Sequence, residues 1–226
     1  MTRPYDLLVF DWDGTLADSA ALIVAGMQRA IVELKLPART DAQVRELIGL
    51  GFYDAMERLF PEFTPEDIHR AMEGYRRLLV AGGHAHHGPA EAPLFDGALE
   101  MLRELHGAGY RLAVATGKSR SSLERSFKRH PELRGLLSSS RCADETAAKP
   151  DPLMLNELLE LEGLAPGAAL MIGDTEFDIH MARAARVPAV GVACGVHEHD
   201  RLREAGALEI IDGVSHLGSW LGGRSE

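Results

Sequence analysis

The apolar positions of this chain change period several times, and each change marks an element. The first is an unbroken run, Leu7-Leu8-Val9-Phe10, that stops at Asp11-Trp12-Asp13-Gly14-Thr15-Leu16. A short apolar run bounded by a glycine turn reads as a strand buried on both faces. Asp is a poor strand residue, so Asp11 is expected where the strand stops. From Leu22 the spacing turns helical: Leu22, Ile23, Met27, Ala30, Ile31 and Leu34 recur on one face, with Asp18 or Ser19 as cap and Pro37 as the expected end. Further helices are expected from Thr40 or Asp41 through Val44, Leu47 and Ile48, then through Met56 and Leu59 to Pro61. A fourth starts at Thr64-Pro65-Glu66-Asp67, where Pro occupies the first turn and acids face the positive helix end, and runs to Leu79.

No strand pattern occurs between residues 17 and 88, and Ala81 to Ala90 has linker composition. Beyond it the periods alternate. Helices are expected over Ala98–His106, Ser121–Arg129, Pro152–Leu161, Asp178–Arg186, His199–Ala205 and Val214–Leu221. Strands are expected over Tyr110–Thr116, weakly over Leu136–Ser139, then over Ala168–Gly173, Pro188–Ala193 and Leu208–Ile211. Strands alternating with helices predict an α/β fold with a doubly wound, mostly parallel sheet covered on both faces. The expected division is a core of residues 1–16 and 92–226, with a helical unit, 17–91, inserted.

Composition narrows the function. The formal net charge of −10 over 226 residues argues against a nucleic-acid or anionic-membrane partner, since both need a basic face. No basic segment followed by an apolar core stands near the N-terminus, and no apolar run approaches spanning length, so a cytoplasmic protein is expected. Cys142 and Cys194 alone do not suggest a disulfide-stapled scaffold. Of the 24 basic residues only Lys35, Lys118, Lys128 and Lys149 are lysines. Where this chain needs mere positive charge it uses Arg, so a Lys is more apt to carry a specific task.

The strand ends carry the chemistry. The first strand closes on Asp11 and Asp13, the second on Thr116-Gly117-Lys118, Lys149-Pro150 follows the weak third, and the next ends at Gly173-Asp174 with Asp178 four residues on. Right-handed connections bring these ends to one edge of the sheet, where such folds bind ligands. Clustered carboxylates repel and drift toward protonation unless a cation joins them, and hard oxygen ligands select a hard ion such as Mg²⁺. Lys149, Thr116 and the backbone amide at Gly117 would then suit a phosphate. Taken singly, Asp174 and Asp178 could complement a helix dipole, Thr116-Gly117 could be an ordinary turn, and Lys149 a solvated loop residue. Two acids closing an apolar strand have no such structural benefit, and all four features in this order leave little room for accident.

At these residues the chain resembles the haloacid dehalogenase superfamily of phosphohydrolases. Phe10-Asp11-Trp12-Asp13-Gly14-Thr15-Leu16 matches its first motif, Ala115-Thr116-Gly117-Lys118-Ser119 the second, Lys149-Pro150-Asp151-Pro152 the third, and Ile172-Gly173-Asp174-Thr175-Glu176-Phe177-Asp178 the fourth. Within it the chain is similar to the branch with a helical cap after the first motif, as in phosphoglycolate phosphatases and sugar phosphomutases. The resemblance implies a Rossmann-like core, Mg²⁺ as cofactor and a small phosphorylated metabolite as substrate, acted on by a monomer or homodimer. It implies Asp11 as nucleophile forming an aspartyl phosphate, and Asp13 as the acid that protonates the leaving oxygen and then the base that activates water. It places Mg²⁺ on Asp11, the Asp13 backbone carbonyl and Asp174, with Asp178 in support. Thr116 and Gly117 would bind the phosphoryl group and Lys149 would neutralise its charge.

Departures sort the alternatives. Dehalogenases and phosphonate-cleaving relatives lack the aspartate at position 13, and the latter need a cap lysine, whereas this insert holds only Lys35 near a helix end. Capped mutases such as β-phosphoglucomutase place a histidine early in the first cap helix, where this chain has Ile23, so hydrolysis is favoured over mutase chemistry. A receiver-like phospho-acceptor switch also gathers acids, a Thr and a Lys at its sheet edge, but lacks an Asp13 and the helical insert. Relatives usually end the helix after the fourth motif with Gly; Arg186 there would cost roughly 1 kcal/mol or more in a left-handed conformation, so that helix is expected to close differently. Gly49-Leu50-Gly51-Phe52-Tyr53 is either the cap loop that dips toward the substrate or an ordinary turn between helices. His84, His86 and His87 read as linker residues rather than as a second metal site, since no acidic or Cys partner completes a ligand set.

Overall fold

A computed structural model describes residues 3–81 and 92–223. The stretch 82–91, which holds His84, His86 and His87, lies outside the described residues.

Six parallel strands form one sheet in the order β3-β2-β1-β4-β5-β6: β1 (Leu7–Phe10), β2 (Arg111–Thr116), β3 (Leu137–Cys142), β4 (Ala169–Gly173), β5 (Ala189–Val192) and β6 (Ile210–Ile211). β1 is central, in register with β2 from Leu7↔Arg111 to Phe10↔Val114 and with β4 from Leu7↔Ala169 to Phe10↔Ile172. Its alternate side chains feed two different cores. Leu8, Phe10 and Trp12 pack with Met101 and Leu102 of α5 (Ala98–Gly107), Leu123 and Phe127 of α6 (Arg120–Arg129) and Leu217 of α10 (Leu217–Gly222). Leu7 and Val9 pack with Leu155 and Leu158 of α7 (Leu153–Glu162), Ile179 and Ala182 of α8 (Glu176–Ala184) and Leu202 of α9 (His199–Ala205). Both faces are thus covered by helices, and each fully buried Leu or Phe contributes about 1.5–3 kcal/mol.

Between β1 and α5 the described residues form four helices, α1 (Ala20–Glu33), α2 (Asp41–Arg45), α3 (Phe52–Leu59) and α4 (Pro65–Ala81). They bury an apolar cluster of their own, built on Met27, Ile31, Val44, Met56, Phe60 and Ile68. The two chain crossings between this cluster and the sheet run side by side: Ala17 bridges both Asp13 and Leu94, Asp18 N donates to Pro93 O, and Phe95 N donates to Leu16 O, the last two at 2.9 Å.

Of the sequence expectations that change, four have a clear physical cause. β3 starts at Leu137 and runs past the expected Ser139 through Ser140 and Arg141 to Cys142, because an edge strand needs no apolar face on both sides; its Ser138 and Ser139 hydroxyls bond Glu162 Oε1 at 2.7 and 2.8 Å. α1 ends at Glu33, before Pro37, through Lys35 at φ 54°, with Leu36 N donating to Ile31 O at 2.9 Å. α8 starts two residues earlier than Asp178, because Thr175 is its cap and Asp178 the reciprocal partner of a capping box. Finally, Arg186 does adopt the left-handed conformation, at φ 59°, and Val187 N closes the turn onto Ala182 O at 2.8 Å. The tertiary position of β5 fixes that turn whatever residue fills it. Arg186→Gly is therefore expected to raise stability by about 1 kcal/mol, roughly 2–4 °C in Tm for a chain of this size, read by thermal melting.

Candidate active site

The carboxyl ends of β1, β2 and β4 deliver Asp11, Thr116 and Asp174 to one edge of the sheet, and Lys149 arrives from the loop after β3. Asp11, Thr116, Lys149, Asp174 and Asp178 are each no more than 1% exposed, and Asp13 is 9% exposed. Lys149 Nζ stands 2.7 Å from Asp11 Oδ1 and 2.6 Å from Asp178 Oδ1. These are charge contacts, close in distance but off the directional geometry of a hydrogen bond. One carboxylate oxygen from each of Asp11, Asp174 and Asp178 lies within 4.8 Å of the others.

Each acid is held differently. Asp174 Oδ1 accepts from Thr15 Oγ1 and Oδ2 from the Val196 amide, both at 2.8 Å. Asp178 Oδ2 accepts from Thr175 N at 3.1 Å and Thr175 Oγ1 at 2.7 Å, so with Lys149 on its other oxygen it is fully engaged. Asp11 Oδ1 accepts from Trp12 N at 2.7 Å, whereas its buried Oδ2 has no partner. Burial pushes Asp11 well above the usual carboxylate range, with Asp178 and Asp174 adding repulsion and Lys149 opposing both. Burial, then Asp178, pushes Asp174 up to about 7. Burial pulls Lys149 down, but the attraction of Asp11 and Asp178 outweighs it and holds the ammonium charged.

Backbone proximity explains several glycines. A side chain on Gly14 or Gly195 would collide with the Asp174 carboxylate. One on Gly117 would collide with the carbonyls of Gly49 and Leu50, and one on Gly51 would lie 2.8 Å from Ala148 Cβ and 3.2 Å from Ala143 Cβ. The Gly49-Leu50-Gly51 loop of the helical unit therefore rests on the loops that follow β2 and β3.

The sequence model of the haloacid dehalogenase-like hydrolases matches residues 8–192. The chain belongs to that family. It is 31% identical to the phosphoglycolate phosphatase of Rhodospirillum rubrum over 228 residues, covering 95% of this chain and 90% of the relative. It is 32% identical over 215 residues to the probable phosphatase IndB of Dickeya dadantii, covering 93% and 91%. Among solved structures, a hydrolase from Pseudomonas syringae superposes with a TM-score of 0.81 at 24% identity, covering 97% of this chain and 99% of that one, a likeness of fold. The protein is an enzyme, a phosphatase of the haloacid dehalogenase family.

All the residues singled out in the sequence, Asp11, Asp13, Thr116, Gly117, Lys149, Asp174 and Asp178, meet at this edge. Three others, quoted in the motifs without a role of their own, complete the site. Thr15 caps Asp174, Thr175 caps Asp178, and Lys118 Nζ binds both oxygens of Asp13 at 3.1 and 3.2 Å. Only Lys118 had a usable signal, the scarcity of lysine in this chain. The Lys149–Pro150 bond is cis. No helix among the described residues is long and apolar enough to cross a membrane.

Proposed function

We propose that this phosphatase hydrolyses small phosphate monoesters with Mg²⁺ through an aspartyl phosphate on Asp11, with 2-phosphoglycolate the first substrate to test. The observation that carries the reading is Asp11 Oδ2, a buried carboxylate oxygen with no partner, at the end of the central strand and beside a buried ammonium. An unpartnered buried oxygen is costly unless something is meant to meet it.

The residues fit a divalent cation. Three buried carboxylates face one ammonium, an excess of two negative charges if all ionise, and burial has raised Asp11 and Asp174 for want of a counter-charge. Asp11, Asp174 and the Asp13 backbone carbonyl would hold Mg²⁺, with Asp178 supporting through Lys149. When bound, the ion supplies positive charge opposite the phosphoryl oxygens and fixes their orientation.

The chain's own groups supply the rest. Asp11 attacks phosphorus as the bond to the leaving oxygen breaks, and Asp13 gives that oxygen its proton. Thr116 Oγ1 accepts from the Lys118 amide at 3.2 Å, which leaves its O–H to donate to the phosphoryl group. Lys149 offsets charge on the same oxygens, since phosphoryl transfer needs alignment and charge compensation more than covalent chemistry. Asp13 then takes a proton from a water whose oxygen bonds to phosphorus as the bond from phosphorus to Asp11 breaks, and inorganic phosphate leaves with the Asp11 carboxylate restored. Ile23 offers no acid-base group to return the phosphoryl group to a second hydroxyl, which supports hydrolysis over mutase chemistry. Residues 17–91 act as a cap over the core of 1–16 and 92–226, with Gly49–Gly51 closing over the site.

A panel of phosphate esters, assayed with Mg²⁺ and with EDTA, tests this. Phosphate release is expected with Mg²⁺ and is expected to fall at least a hundredfold in EDTA, on the order of what one electrostatic contact to a transition state supplies. Equal rates in both would sink the metal assignment. Slow acquisition of a phosphoryl group without turnover would point instead to a phospho-acceptor switch.

A further inference from the structure

The loop after β5 has two sets of partners. One is Asp174. Val196 N donates to Asp174 Oδ2 at 2.8 Å, and His197 N donates to Asp174 O at 3.3 Å. Gly195 packs so closely that a Cβ there would stand 2.2 Å from the carboxylate. Three consecutive residues thus fix one acid of the site.

The other set is the C-terminal end of α2. Arg45 Nη2 donates to Gly195 O at 2.9 Å, and His197 Nε2 stands 3.2 Å from Glu46 O. The direction of that second bond follows from the other ring nitrogen. Nδ1 accepts from the Glu176 amide at 3.1 Å, so Nε2 carries the hydrogen and donates. The last carbonyls of a helix have no partner within it, and His197 supplies one for Glu46. His197 is itself buried, edge-on to Phe177 at 5.2 Å. Arg201 of α9 completes the contact. Its guanidinium holds Glu176 through Nε at 2.6 Å and Nη2 at 2.7 Å, and its Nη1 pairs with Glu46 Oε1. An exposed ion pair alone contributes little. Here Glu176 has already oriented the guanidinium, so the Glu46 contact costs little further ordering.

Gly195 and His197 therefore meet Asp174 with one part and the helical unit with another. Without the α2 contacts the loop would depend on Asp174 alone, which two neighbouring carboxylates crowd. Thr15 would still fix Asp174 Oδ1, but Oδ2 would rest on a loosened amide. We infer that Arg45 and Glu46 are positioning residues that act on Asp174 through residues 195–201, so that closure of the helical unit and affinity of the acids for a cation are linked. The inference rests on the cap and cation readings above. Linkage is reciprocal: closure favours the cation by the same factor as the cation favours closure. The cap then helps to assemble the site that it covers.

The test takes the full chain with Mg²⁺ as probe and compares the wild type with Arg45→Met/Glu46→Gln. Both substitutions leave Arg201 on Glu176 and Thr15 on Asp174. Titration calorimetry is expected to show Mg²⁺ bound about fivefold or more weakly by the variant, the lower end of coupling between two sites. Hydrogen exchange without Mg²⁺ is expected to be faster by a similar factor at the amides of 195–198, with those of β1 and β4 unchanged. Added Mg²⁺ is expected to slow exchange over 47–51 more in the wild type than in the variant. Equal Mg²⁺ affinity with a lower Tm would make these bonds a plain fastening of the helical unit, which overturns the inference. So does unchanged exchange over 195–198. If β1 and β4 also exchange faster, the variant has lost its core. Glu46→Gln alone, which spares Arg45 and the His197 bond, then decides, and affinity equal to the wild type overturns the inference there too. A wild type that binds no Mg²⁺ removes the cation reading and this inference with it, whereas equal binding by both leaves that reading standing.

Discussion

Asp11→Asn is expected to abolish phosphate release without loss of fold. An amide cannot attack phosphorus as a carboxylate does, and losses on removing a nucleophile reach roughly 10⁴-fold or more in kcat. The stability side follows from the site's charge balance. Asp11 is buried, and its raised pKa records that burial and the repulsion of Asp178 and Asp174 outweigh the attraction of Lys149. Asparagine keeps an oxygen for the Trp12 amide, now bonded at 2.7 Å, and removes the buried charge. Lys149 retains Asp178 at 2.6 Å. In EDTA the Tm of the variant is therefore expected to equal or exceed that of the wild type. Phosphate release and thermal melting on the same preparation check both halves. Undiminished release would place the nucleophile elsewhere, and a large fall in Tm would make lost activity a folding effect.

Much of this site was legible because the fold enforces one simple rule: parallel strands joined by right-handed crossovers end at the same edge. Once β1, β2 and β4 are read from their apolar runs, Asp11, Thr116 and Asp174 must converge, and Lys149 follows from the same topology. What hydrophobic period cannot show is polar structure. The serine run of β3 reads only weakly as strand because an edge strand can satisfy it with Glu162 rather than with apolar neighbours. Thr15 and Thr175 were passed over because a buried hydroxyl that caps a carboxylate looks, in sequence, like any threonine.

Arg186 was misread for a different reason. There local propensity argues for glycine, but the packing of the next element fixes the turn, and a penalty near 1 kcal/mol is small beside the burial it permits. The resting of the Gly49-Leu50-Gly51 loop on Gly117 was open in the sequence because a helix-helix turn and a substrate-facing loop share the same composition. Only the close approach of two backbones, which leaves no space for a Cβ at Gly117, separates them.

Lys149→Met is expected to have the largest effect on stability, and its size should depend on pH in a fixed direction. Lys149 is the ammonium between Asp11 and Asp178 and its side chain is wholly buried. Removing one member of such a pair costs about 3–5 kcal/mol, because the partner charge stays buried and unmatched. Here two carboxylates lose their cation, and Asp174 stands close to both. The acids can escape that cost only by binding protons. Their folded-state pKa values, already raised at Asp11 and raised to about 7 at Asp174, would then rise further. A carboxyl whose pKa is higher folded than unfolded binds more protons in the native state over the range between the two values, so stability is lost as pH climbs through it. Metal-free Lys149→Met should thus lie close to the wild type near pH 5 and fall well below it at pH 8, by roughly 6–20 °C in Tm for a chain of this size. Thermal melts in EDTA across that range measure it. A deficit that is constant with pH would mean that Lys149 supports the fold by packing alone, and that the three carboxylates do not share one electrostatic site.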